Sequence, residues 1–244
     1  MEKFLTWQWK GYKHRMFGSN FDLKSYLIRL FVLFLSISVH EWAHAYSAYR
    51  YGDDTAALQG RLTLNPLRHF EPVGLILILV GAPIAWARPV PINPNRFRSD
   101  VNRSQAMLWV SLSGITCNFL LAFTGSFLLY FMQFIYLQTG VAGSAFTVLQ
   151  VVSEIALMMM LTNVFLGIFN LLPIPPLDGF ELFSRILPRR LVWWLQTNTR
   201  MISSIMLMVI IFFRGGFSRF LNILASPVLY VLQWPWRTVF ELLA

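Results

Sequence analysis

The sequence predicts an all-α polytopic membrane protein with about four to six transmembrane helices and one re-entrant, extended or β-like segment. Three observations carry this. The 244 residues are 56% hydrophobic and only 13% charged, whereas soluble domains carry roughly 45–50% apolar and about 25% charged residues. Several apolar runs approach or exceed the roughly 20 residues needed to cross a bilayer. Two proline clusters, at 83–94 and 173–176, interrupt apolar runs where helix would otherwise continue.

Residues 1–24 are basic and aromatic. Trp7, Trp9, Tyr12 and Phe17 lie among lysines and arginines, as suits a segment on the membrane surface. No compact apolar stretch with a small-residue cleavage site follows, so no signal peptide is read there. The first span covers residues 25–51 and is apolar until His40. The polar stretch YGDDTAALQGRLTLNPLRHFEP comes next and closes on Pro66 and Pro72. Residues 74–87, GLILILVGAPIAWA, are too short for an ordinary span and are broken by Gly81 and Pro83. They suit a re-entrant segment buried in protein. In PVPINP, the prolines at 89, 91 and 94 favour extended backbone.

Two long spans follow at 104–137 and 144–172, joined by the uncharged link QTGVAGS. After PIPPLDG comes a basic stretch with Arg185, Arg189, Arg190 and Arg200. An apolar run at 201–213 is then interrupted by RGG at 214–216, before an aromatic segment at 217–236. The chain thus divides into a surface segment (1–24), a membrane core (25–190) and C-terminal membrane segments (191–244).

The net charge of +9 would point to nucleic acid in a soluble protein. Here it reads as loop charge that holds membrane topology, and no nucleic-acid partner is expected. Cys117 is the one cysteine, which excludes an intrachain disulfide framework and a cysteine-rich metal cluster. It reads as a packing residue.

Two of the four histidines fall in HEWAH, at His40 and His44. Residues four apart on an α-helix lie about 40° apart around the axis and about 6 Å along it. Two imidazoles at that spacing can share one ion. Glu41 lies about 100° round from His40, placed to touch a water on the metal rather than the metal itself. Ionisable groups at the bilayer centre cost about 2.5–3.5 kcal/mol or more each, which favours a functional reading over a chance pair.

A tetrahedral site then lacks one protein ligand. Asp53, Asp54, Glu71 and Asp100 lie in polar loops and are expected to be solvated. Glu154 sits in the third span, towards the end away from Asp178, and is expected to face a polar pocket or the interface. Glu181 is expected to face the loop. Asp178 differs, because it closes FNLLPIPPLDG. An interior proline costs a helix about 3 kcal/mol, so Pro173, Pro175 and Pro176 must end or unwind the third span. That would swing the Asp178 carboxylate inward.

One long span separates the histidines from Asp178, so both sets fall towards the same membrane face. That face carries Arg88, Arg96, Arg98, Arg103, Arg185, Arg189, Arg190 and Arg200, whereas the link 138–143 has no basic residue. By the positive-inside rule the site opens to the cytoplasm. The same parity puts residues 1–24 outside although they carry Lys3, Lys10, Lys13, Arg15 and Lys24.

HEWAH at 40–44 and NLLPIPPLDG at 170–179 together resemble the two signatures of the site-2 protease family of intramembrane zinc metalloproteases. GRLTLNPLRHFEPVG and ARPVPINPNRF resemble intervening segments of bacterial members, so the likeness covers roughly residues 25–190. No PDZ or nucleotide-sensing (CBS) domain is expected, and the chain resembles the minimal type. SGITCN at 113–118 departs from the family pattern by lacking a proline, with Gly114 and Asn118 retained, and Glu71 stands where aspartate is common.

The resemblance implies one Zn2+ per chain, ligated by His40, His44 and Asp178. It implies Glu41 as catalytic base and Asn170 beside the substrate or the oxyanion. The re-entrant, β-like element, including Pro89, Val90 and Pro91, is expected to bind substrate beside the active site. His69 is expected to orient its loop by a hydrogen bond rather than bind a second metal. The expected partners are a single-span membrane protein substrate and the lipid bilayer, and the expected location is the bacterial inner membrane. A metal-ion transporter or metal sensor is the alternative reading. It is disfavoured because no internal repeat of broken segments is found and because the Glu after His40 has no evident transport role.

Overall fold

A computed structural model describes residues 22–70 and 88–243. Four of its helices are long and apolar enough to cross a membrane. The first is α1, Leu23–Arg50. Asp22 starts it by accepting hydrogen bonds from the backbone N–H groups of Lys24 and Ser25, which relieves two of the orphan donors of the first turn. The short α2, Thr55–Leu58, and the 3₁₀ turn Pro66–Arg68 follow. A second 3₁₀ turn, Pro94–Arg96, uses proline at its first position, where the missing N–H costs nothing.

Helix α3, Arg103–Thr139, is capped by Asn102 and ends on Gly140 at φ 56°, a left-handed conformation that glycine adopts without strain. Helix α4 is Gly143–Asn170. It stops as expected before Pro173, and α5, Asp178–Phe183, begins after the proline turn. Helices α6, Arg189–Thr197, and α7, Thr199–Phe212, meet at a 75° bend and, taken as one broken span, bring the number to five. Helix α8, Arg214–Leu243, contains Pro227 and Pro235.

The expected spans at 25–51, 104–137 and 144–172 coincide with α1, α3 and α4. The expected break at RGG does not. The interruption falls at Phe213, and residues 214–216 already belong to α8. Glycine costs a helix only about 1 kcal/mol and does not forbid it. The segment 74–87 lies outside the described residues. Among the described residues there is no β-strand, and 88–93 form an irregular strip rather than a β-like one. Prolines at 89 and 91 withhold the donors a ladder would need.

Helices α1, α3 and α4 form the core. Ser36 meets Asn163, and Ile28 and Val32 pack with Met158 and Met159, so α1 and α4 run parallel. His40 meets Asn118 and Ala48 packs with Ala106, so α3 runs against α1. Gly125 brings α3 onto α4. A Cβ there would lie 2.7 Å from the Met160 nitrogen, the close backbone approach that small residues allow in membranes. Helix α8 joins through Ser126 Oγ, which donates to the Leu232 carbonyl at 3.1 Å, and Tyr130, whose hydroxyl donates to Gln233 at 3.3 Å.

At the far end from the histidines, Glu154 meets α1 rather than solvent. Ser25 Oγ lies 2.6 Å from its Oε1 and Lys24 Nζ 3.2 Å from its Oε2.

Candidate metal centre

The ligand geometry combines one unbroken helix with one interruption of helix. His40 and His44 lie one turn apart on α1 and are both buried. The proline turn after α4 returns the chain tightly on itself. A Cβ on Gly179 would lie 2.2 Å from the Leu171 carbonyl oxygen, so only glycine lets the chain fold back at this point. Asp178, the residue before it, thereby faces the two histidines.

The three contacting atoms form a triangle. His40 Nε2 and His44 Nε2 are 3.0 Å apart, and Asp178 Oδ2 lies 3.3 Å from His40 Nε2 and 3.2 Å from His44 Nε2. Ligand atoms at about 2.0–2.1 Å around a tetrahedral zinc sit roughly 3.3–3.4 Å from one another. The triangle is therefore close to one face of such a tetrahedron. His40, His44 and Asp178 form the group able to hold a metal ion among the described residues.

Hydrogen bonding fixes which imidazole nitrogens face inward. His44 Nδ1 is 2.8 Å from the Val110 carbonyl oxygen, which can only accept, so Nδ1 carries the proton and Nε2 presents a lone pair. For His40 the same result follows through a buried chain. Asn163 Nδ2 donates to the Met159 carbonyl at 2.9 Å and to Ser36 Oγ at 2.8 Å, which turns Asn163 Oδ1 towards Asn118. Asn118 Nδ2 donates to that oxygen at 3.2 Å, leaving Asn118 Oδ1 to accept from His40 Nδ1 at 2.6 Å. Both Nε2 atoms then point their lone pairs at Asp178 Oδ2, which is buried without a hydrogen-bond donor. With Nδ1 the donor on each ring, three electron-rich atoms at this spacing are arranged to share a cation.

Asn118, Asn163, Ser36 and the Val110 carbonyl were not among the site residues expected from sequence. In the sequence Asn118 stands out only as part of SGITCN. A polar residue in the middle of each apolar span was the signal available. Outer partners of this kind typically affect metal affinity 10–100-fold. Asn118→Ala is expected to weaken zinc binding by about that factor, measured by titration against a competing chelator, with the helical content unchanged.

Glu41 is 8% exposed, and its Oε2 accepts a hydrogen bond from the Val90 N–H at 2.8 Å. Asn170 is the last residue of α4 and half-buried, outside the metal-binding triangle. Pro89 is exposed and Pro91 half-buried, flanking Val90. His69 is buried, with Nε2 2.7 Å from the Thr63 carbonyl oxygen, the loop-orienting contact expected of it. Asp53 corrects an expectation. It is 1% exposed rather than solvated, because it accepts from Asn93 N at 2.6 Å and from Thr55. Asp54 pairs with Arg96 at 2.5 Å, and Asp100 is exposed beside Arg98. Glu71 lies outside the described residues. Burial pushes the Glu181 carboxyl above its usual range against the opposing charge of Arg185, and Glu181 is not part of the metal-binding group.

The family model described as Peptidase family M50 matches residues 28–213. A Bacillus subtilis protein named "Putative zinc metalloprotease YwhC" is 44% identical over 167 residues, covering 68% of this chain and 71% of the relative. A Mycobacterium tuberculosis protein named "Putative zinc metalloprotease Rip2" is 31% identical over 153 residues, 60% of this chain and 52% of the relative. No solved structure matches the chain.

Proposed function

The chain belongs to peptidase family M50 and is an integral membrane zinc metalloprotease, and from that premise we propose that it hydrolyses peptide bonds within or next to transmembrane segments of other membrane proteins. The observation that carries the proposal is the triangle of His40, His44 and Asp178 inside the helix bundle, with Glu41 beside it on the same helix. The substrate class is a single-span membrane protein, whether a membrane-anchored regulator or a leftover signal peptide. Membership of a protease family further disfavours the metal-transport reading.

His40 Nε2, His44 Nε2 and Asp178 Oδ2 would hold the zinc. When bound, zinc supplies Lewis acidity and acidifies a water from a pKa of about 15.7 towards 7. Glu41 takes the proton of the attacking water on its carboxylate and delivers it to the departing amine nitrogen, so hydrolysis needs no covalent intermediate. The Asn170 side-chain amide donates to the developing oxyanion. Residues 89–91, with the Val90 N–H on Glu41, would receive an unwound substrate strand. Of these three only Val90 has an N–H, and Glu41 holds it, so pairing with substrate at 89–91 runs through carbonyl oxygens.

The basic residues on the loops nearest the site support an opening towards the cytoplasmic side of a bacterial inner membrane. Water reaches the buried carboxylates from those loops.

The deciding experiment is incubation of the purified protein with a single-span test substrate. Cleavage is expected with zinc present, loss of cleavage after chelation, and recovery when zinc is returned. A zinc-loaded, folded protein that leaves a panel of single-span substrates intact would overturn the proposal.

A further inference from the structure

Arginine 61 is 4% exposed, yet it stands on a loop that contributes no metal ligand. Its guanidinium Nε donates to the Arg68 carbonyl at 3.2 Å, Nη1 donates to the Pro89 carbonyl at 2.6 Å, and Nη2 donates to the Arg88 carbonyl. One side chain thus joins the loop after α2 to the start of the 88–93 strip. The far end of that strip is held by Asp53, which accepts from Asn93 N. Between the two anchors Val90 packs its side chain against Ala45, Ala56 and Leu62. Its N–H, the one backbone donor in Pro89-Val90-Pro91, is spent on Glu41.

We propose that Arg61 is a positioning residue for catalysis, acting through the main chain of residues 88–90 to hold the Val90 N–H, and with it the Glu41 carboxylate, in place. The inference rests on the proposed role of Glu41 as the proton-carrying base. A carboxylate side chain on a helix has freedom about each of its torsions, and a donor on a rigid partner removes much of it. Charge-assisted bonds to a carboxylate are roughly twice as strong as neutral ones. The donor can do this only if its own strip cannot move. Two adjacent carbonyls gripped by one planar fork supply that rigidity, and lysine, a single point donor, would not. The flanking prolines contribute in the same direction by restricting the backbone on both sides of Val90.

Deuterium exchange and kinetics together test this. Pro89 and Pro91 carry no amide proton, so uptake in an 88–92 peptide reports on Val90 and Ile92 alone. In Glu41→Ala, Val90 loses its acceptor and its exchange is expected to accelerate, with no need of activity in the readout. In Arg61→Met the same amide is expected to exchange faster. In that variant kcat should fall about 10–100-fold through misplacement of the base, a larger change than any rise in KM, with zinc content unchanged. Arg61→Lys should recover only part of the loss, and it decides the matter if Arg61→Met does not fold.

A raised KM at unchanged kcat would overturn the inference, because the strip would then serve substrate binding alone and not the placement of Glu41. Unchanged Val90 exchange in both Glu41→Ala and the Arg61 variants would also overturn it. Wild-type enzyme inactive under the same assay would sink the proposed function instead, and the exchange result would still stand on its own.

Discussion

Glu41→Gln is expected to lower cleavage about 10²–10⁴-fold, the usual contribution of a positioned acid–base group, while zinc stays at the wild-type level. The reason lies in where the two roles sit. The atoms able to hold a metal ion belong to His40, His44 and Asp178, and Glu41 is turned instead towards the Val90 N–H. Glutamine is nearly isosteric, and its carbonyl oxygen can still accept from Val90, so neither the metal set nor the 88–93 strip loses a partner. What disappears is the ability to take up and return a proton. Metal analysis and a single-turnover cleavage assay on one preparation check both halves. Loss of zinc together with activity would mean that Glu41 serves the metal set directly, and retained activity would place the base elsewhere.

The parts of this arrangement legible in the sequence were those governed by local rules. Helical periodicity puts His40 and His44 on one face, and prolines after Asn170 must end α4. The three core spans follow from apolar length alone. What could not be read is set by contacts between distant segments. Asp53 looks like a loop aspartate until Asn93, forty residues on, is brought against it. Arg61 looks like a solvated loop charge until three carbonyls surround it. The tautomer of His40 depends on a chain through Asn118 and Asn163 that crosses three helices. The C-terminal interruption departs from its expected place at RGG for a different reason. Glycines in a membrane helix weaken it only slightly and lose to the hydrogen bonding that lipid enforces on every backbone group.

Gly114→Ala is expected to cost about 10–100-fold in zinc affinity, although the residue bears no side chain and lies on a different helix from any ligand. A Cβ at 114 would sit 2.5 Å from both Cε1 and Nε2 of His44 and 2.7 Å from Cε1 of His40. The imidazoles have nowhere to retreat, because His44 Nδ1 is tied to Val110 and His40 Nδ1 to Asn118, both on the same helix as Gly114. Either the rings turn, breaking those bonds and moving Nε2 off the metal, or α3 moves away from α1. Overpacking of this kind costs about 1–3 kcal/mol, and each 1.4 kcal/mol is tenfold in affinity. Gly125→Ala separates this local effect from general loosening of the bundle. Its Cβ would strike the α4 backbone at Met160 and Ala156 and touches neither histidine, so it should lower thermal stability and leave zinc affinity within a few-fold. Equal zinc loss in both variants would assign the effect to helix packing. Wild-type affinity in Gly114→Ala would show that the imidazoles do not stand against α3 as described.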